Sequence, residues 1–102
     1  MTRYSLTANA QRDLREIRDY VYSEGGIRAA RFVIARLVGA FRAIAKTPGL
    51  GHLREDLTTR PELRFWPVFS YLIVYRNDTQ PLRVIAILHG KRDVESVLFT
   101  RR

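Results

Sequence analysis

Tyr71-Leu72-Ile73-Val74-Tyr75-Arg76 and Leu82-Arg83-Val84-Ile85-Ala86-Ile87-Leu88, joined by the polar turn Asn77-Asp78-Thr79-Gln80-Pro81, decide how this chain folds. Both runs are rich in β-branched and aromatic residues and have the length of strands. Both are apolar at odd and even positions alike, so each strand wants cover on two faces. Just upstream, Leu63-Arg64-Phe65-Trp66 is another β-rich run, closed by Pro67 and a turn near Phe69-Ser70. Strands over 63–68, 71–76 and 82–89 follow one another through short connections, which predicts an antiparallel meander.

The first half reads as helix. Tyr4-Ser5-Leu6 suits a short opening strand, and Thr7 is a good N-cap for a helix beginning at Ala8. Ala10, Leu14, Ile17 and Val21 then recur at helical spacing. Asp13, Glu16 and Asp19 read as a solvated helix face, with Arg12–Glu16 and Arg15–Asp19 four residues apart. Gly25-Gly26 stops this helix, and a second runs over 27–46 to Thr47-Pro48-Gly49. Its apolar side carries Ala30, Val33, Ile34, Leu37, Phe41 and Ile44. Arg28, Arg31, Arg36, Arg42 and Lys46 gather opposite, within an arc of roughly 140° at 100° per residue. Phe32 falls on that basic side, as either an inconsequential exposed aromatic or a partner's anchor. Residues 94–102 suit a last short helix or strand.

The expected fold is therefore α+β, in a single domain over 1–102. A short N-terminal strand precedes an antiparallel helical hairpin, packed on one face of a three- to four-stranded antiparallel sheet. Two helices cover one face. The other face is expected to wait for a partner.

The chain has 102 residues, 46% of them hydrophobic, a net charge of +8 and a pI near 10.8. Of its 18 basic residues only Lys46 and Lys91 are Lys. The planar fork of Arg suits carboxylate and phosphate, so the charge predicts nucleic acid, a nucleic-acid machine or an acidic peptide as partner; a high-GC genome would give the same Arg bias. Without Cys there is no disulfide, thiolate nucleophile or Cys-based zinc site. The two His, His52 and His89, lie far apart in sequence, so neither a metal nor another cofactor is expected. No phosphate-cradling glycine motif or Ser/His/Asp spacing is present. No signal core and no apolar run of ~18 residues occurs, which predicts a cytoplasmic protein with no membrane association.

His89 follows the alternating positions Arg83, Ile85 and Ile87, and is expected on their face beside Lys91 and Arg92. Arg64 and Trp66 on the neighbouring strand can face the same way, and Arg54 can reach the rim from its loop. Such a rim would hold phosphate by charge and a base by stacking, and His89 would supply acid–base chemistry. Each residue also has a plainer role open to it: backbone capping for His89, ion pairing for Arg64 and Arg92, core packing for Trp66.

Five ordered segments carry a family resemblance. They are Tyr4-Ser5-Leu6-Thr7 with Ala10, Asp13, Leu14 and Ile17; the run from Pro48 to Leu57; Leu63-Arg64-Phe65-Trp66; Tyr71 to Arg76; and Leu88-His89-Gly90-Lys91-Arg92-Asp93. In this order they resemble the RelE/ParE superfamily of bacterial type II toxins, most closely its ParE branch. The resemblance implies a toxin that inhibits DNA gyrase without chemistry of its own. Its target-binding candidates here are Arg54, Arg64, Trp66, His89, Lys91, Arg92, Arg101 and Arg102. It also implies a cognate antitoxin of ribbon-helix-helix type, whose C-terminal segment wraps the toxin and through which alone operator DNA is met. Candidate antitoxin contacts are Arg28, Arg31, Phe32, Val38 and Arg42. The superfamily's other activity, ribosome-dependent mRNA cleavage, would use Arg64, His89 and Arg92. Phe99 then stands where such a nuclease usually offers Tyr, and Phe has no proton to give.

Overall fold

The computed structural model describes residues 3–90 and 93–102. Lys91 and Arg92 lie outside the described residues. The elements are β1 (Tyr4–Leu6), α1 (Ala8–Lys46), β2 (Leu63–Val68), β3 (Tyr71–Arg76), β4 (Leu82–His89) and α2 (Val94–Phe99). The three meander strands occupy the expected residues and pair antiparallel, in the sheet order β1-β4-β3-β2. β1 lies on the outer edge of β4 and is parallel to it, Ser5 opposite Arg83. A strand that returns to the sheet only after α1 can pair in parallel, as a tight turn cannot.

Thr7 caps α1 as expected, its Oγ1 accepting the Ala10 N–H at 3.1 Å. A straight helix of 39 residues would span roughly 58 Å, yet the longest dimension of the fold is 38 Å. The chain folds back at Gly26, whose φ of 83° and ψ of −176° lie in a region open essentially only to Gly. The result is the expected hairpin, with arms over 8–25 and 27–46. Arg18 on the first arm and Arg42 on the second line one groove, so the arms lie side by side.

Two cores flank the sheet. Toward α1, Leu37, Phe41 and Ile44 pack on Ile73, Tyr75 and Val84. On the far face Leu63, Phe65, Val74, Ile85 and Leu88 meet Val94 and Leu98 of α2. This corrects the expectation that the far face waits for a partner. Leu63, Val74 and Ile85 are 0% exposed there, because the six-residue α2 lays its i,i+4 pair across them.

A bulge corrects a second expectation. Val74 stands opposite Ala86 and Tyr75 opposite Val84, so Ile85 is an extra residue in β4. Before it Leu82 and Val84 face α1; after it Ile87 does, while Ile85, Ala86 and Leu88 face α2. Arg83 and His89 therefore fall on opposite faces.

The bulge is held by a buried ion pair. β1 stops opposite Val84, leaving β4 without a strand on that side. There Asp13 accepts the Ile87 N–H at 3.0 Å, and Arg101 donates to the Ile85 carbonyl at 3.1 Å. Arg101 also clasps Asp13 through both terminal nitrogens. Asp13 is only 5% exposed, so it does not belong to a solvated helix face. Asp19 does, and pairs with its neighbour Arg18.

Candidate functional site

The groove between the arms of α1 has a volume of about 710 Å³. Its floor is apolar, from Ile27, Ala30, Ile34 and Val38, and Tyr22 closes one side. Arg18, Arg31 and Arg42 also line it, Arg18 already paired with Asp19, which lines it too. Among the described residues, Arg31 and Arg42 have no carboxylate partner. An apolar trough edged with cations suits an amphipathic segment carrying acids. Of the residues expected to meet an antitoxin, Arg31, Val38 and Arg42 line this groove. Arg28 does not line it. Phe32 points elsewhere and meets Phe69, ring centroids 5.9 Å apart.

The residues expected at a single catalytic rim are dispersed. His89 sits opposite Tyr71, and Arg64 sits opposite Tyr75 two strands away. Four residues along β3 and two strand spacings across put Arg64 and His89 roughly 16 Å apart. Trp66, opposite Ile73, is roughly 12 Å from His89 by the same reckoning. His89 meets Tyr71 edge-on at 5.9 Å and lines a small hollow of about 230 Å³ with Glu16 and Tyr20. Burial, and then Tyr20, push the Tyr71 phenol above its ordinary pKa, so it stays protonated at neutral pH.

Several arginines expected at the target are engaged within the chain. Arg101 is spent on Asp13 and Ile85. Arg54 is bidentate to Asp56 at 2.9 and 2.8 Å, an exposed pair of small energetic worth. Arg64 donates to the Pro61 and Leu63 carbonyls. Arg102 is exposed, and its main-chain oxygen accepts from Arg76 and Arg83 at 3.2 and 3.3 Å. Arg60 donates to the carbonyls of Leu98 and Arg101. The guanidinium excess thus partly serves to hold the last residues of the chain against the sheet.

Sequence reasoning missed the edge beyond β2. His52 pairs with Phe65 through N–H···O bonds of 2.8 and 2.9 Å, so the loop extends the sheet by one residue. Its imidazole then stacks on Trp66, centroids 5.8 Å and planes 22° apart. Trp66 is half-buried between this ring and the α1-side core. The loop is fixed from below: the Tyr75 hydroxyl accepts the Gly51 N–H at 2.8 Å and donates to Pro48 O at 2.7 Å. Only the Pro-Gly-x-Gly spacing hinted that this loop packs closely.

Three comparisons bear on this geometry. A family model described as "ParE toxin of type II toxin-antitoxin system, parDE" matches residues 4–94. The chain is 33% identical over 102 residues to the Toxin ParE of Escherichia coli, covering 99% of this chain and 97% of that one. It is 30% identical over 95 residues to the Toxin ParE1 of Mycobacterium tuberculosis, covering 92% and 95%. Among solved structures, one titled "Chromosomal ParDE TA system from P. aeruginosa" has a similar fold. Its TM-score is 0.72 at 18% identity, covering 87% of this chain and 96% of the other.

Proposed function

The chain belongs to the ParE toxin family of type II toxin–antitoxin systems, and on that premise we propose that it inhibits DNA gyrase by binding, and is silenced by a cognate antitoxin in the groove of α1. The superfamily's other reaction, mRNA cleavage, would need an acid–base group and a phosphate clamp within reach of one bond. What carries the choice is the separation of the Arg64 and His89 backbones, roughly 16 Å on sheet spacings, with the Arg64 guanidinium held by the Pro61 and Leu63 carbonyls. Phe99, 90% exposed, also presents no hydroxyl. Both support action by contact rather than by chemistry. We place the action in the cytoplasm, in keeping with a gyrase target.

The antitoxin reading rests on the groove. An acidic amphipathic segment would bury its apolar side over Ile34 and Val38 and meet Arg31 and Arg42 at the rim. Such a segment can be disordered until it binds. Operator DNA would be reached through the antitoxin's own ribbon-helix-helix domain.

Purified protein with gyrase and supercoiled plasmid is the decisive assay. Linear DNA should accumulate with gyrase present, while a ribosome toeprint stays clean. Codon-specific cleavage on ribosomes with intact plasmid would reverse the assignment. For the antitoxin, Val38→Glu should weaken capture of the co-expressed partner while leaving the fold intact; unaltered capture would move the binding site elsewhere.

A further inference from the structure

A strip of aromatic and basic groups runs from the second arm of α1 onto the end of β2. Phe32 and Phe69 are 56% and 53% exposed, with the Arg36 guanidinium 5.9 and 5.1 Å from their ring centroids. Phe69 holds its place at a φ of 55°, a region unfavourable for a bulky side chain. Three residues back along the chain, Trp66 carries the His52 ring. Between Phe69 and Trp66 opens a cleft of about 370 Å³, which Arg36 and Gly39 also line. Folding gains little from two exposed phenyl rings, one of them on a strained turn.

We propose that this strip binds single-stranded nucleic acid, bases stacking on Phe69, Phe32 and the Trp66–His52 pair and phosphates meeting Arg36 and Arg28, which stand one helical turn after and before Phe32. Rings interleaved with guanidinium groups are the means by which proteins hold unpaired strands without reading sequence. The charge fits a polyanion: the chain carries +8. Among the described residues no carboxylate forms an ion pair with Arg28 or Arg36. A duplex offers the same phosphates but hides its base faces. An acidic peptide would satisfy the arginines but leave the rings without flat partners. The strip adjoins the antitoxin groove at Ala35, which lines both, but faces away from the groove's arginines, and it does not depend on gyrase being the target.

Trp66 is the only tryptophan, so its emission reports on this strip directly. The whole protein is titrated with a short oligothymidine, with the corresponding duplex and with polyglutamate. Oligothymidine should quench Trp66 saturably, with a log–log salt slope of about −1.4 if two phosphates are neutralised. Phe69→Ala should weaken binding about 5- to 150-fold, the loss of one stacked base. Gly39→Leu keeps the proposal testable if Phe69→Ala misfolds, since a Cβ at Gly39 meets nothing within 4 Å. It should fill the cleft and weaken binding while leaving thermal unfolding unchanged or raised. The proposal is overturned if quenching is absent, if duplex or polyglutamate binds as tightly, or if both variants bind like the parent.

Discussion

Replacing Arg101 should cost this fold more than any other single surface-proximal change. Its side chain is 13% exposed and that of its partner Asp13 is 5% exposed. Arg101→Leu would leave Asp13 as a buried carboxylate without its counter-charge and strip the Ile85 carbonyl of its donor. Breaking one side of a buried pair costs about 3–5 kcal/mol. Set against a total stability on the order of 5–15 kcal/mol, this is the margin between folded and marginal. In a domain of this size it lowers Tm by roughly 12–24 °C at the lower figure. Asp13→Leu should cost a similar amount, because it also orphans the Ile87 N–H. The double variant removes both charges together, leaving two unpaired backbone groups at about 1–3 kcal/mol each. Its cost should fall short of the sum of the single variants by about 4 kcal/mol on these figures. Urea unfolding followed by circular dichroism measures all four corners of the cycle. Additivity within about 0.5 kcal/mol, or an Arg101→Leu protein within about 1 kcal/mol of the parent, would refute the reasoning. Any loss of toxicity on changing Arg101 must accordingly be separated from loss of fold.

Gly51→Ala places a Cβ 2.6 Å from the Tyr75 hydroxyl and 2.8 Å from its ring, and should cost about 1–3 kcal/mol by chemical denaturation; a variant as stable as the parent would argue against the clash. Gly26→Ala should lose about 1–3 kcal/mol through its positive φ, whereas Gly39→Ala, on an open helix surface, should gain up to about 1 kcal/mol; equal effects at the two glycines would contradict the hairpin geometry. Asp93 caps α2, and hydrogen bonds from the Ser96 side chain and N–H hold its carboxyl below the ordinary range. Its contribution is present above the unfolded value near pH ~3.9 and is lost as pH falls through the folded one. Amide exchange in α2 should therefore accelerate on acidification in that window, and an Asp93→Asn protein should show a flatter profile; identical profiles would exclude the cap as the cause.

The local features were readable because each depends on neighbouring residues. The three meander strands, the Thr7 cap and the break at Gly25-Gly26 rest on alternation, side-chain oxygen placement and glycine's dihedral freedom. All of these act within a few residues. The ParE resemblance was readable for a related reason, being a matter of ordered short segments. The basic side of the second arm was also legible, although only Arg31, Val38 and Arg42 of the expected antitoxin contacts line the groove. Arg64, Trp66 and His89 share the α1 face but lie apart along and across the sheet, a matter of register. Arg83 and His89 were expected on one face because alternation was carried unbroken through β4. One extra residue at Ile85 turned the strand over, and nothing in an unbroken apolar run marks such a bulge.

What the sequence determined by itself was the set of elements, the hairpin and the cationic character of the chain, since periodicity, glycine and charge are properties of short segments. What only the tertiary structure decided was which partner each charge found. Asp13 and Arg101 stand 88 positions apart and meet at the bulge where β1 runs out. Arg60, Arg76 and Arg83 turn toward the C-terminal main chain instead of outward. α2 closes the face that composition left open. The physical reason is common to all three: a buried polar group or exposed apolar face must be satisfied by whatever the folded chain brings near it, and that nearness is not written in any local pattern.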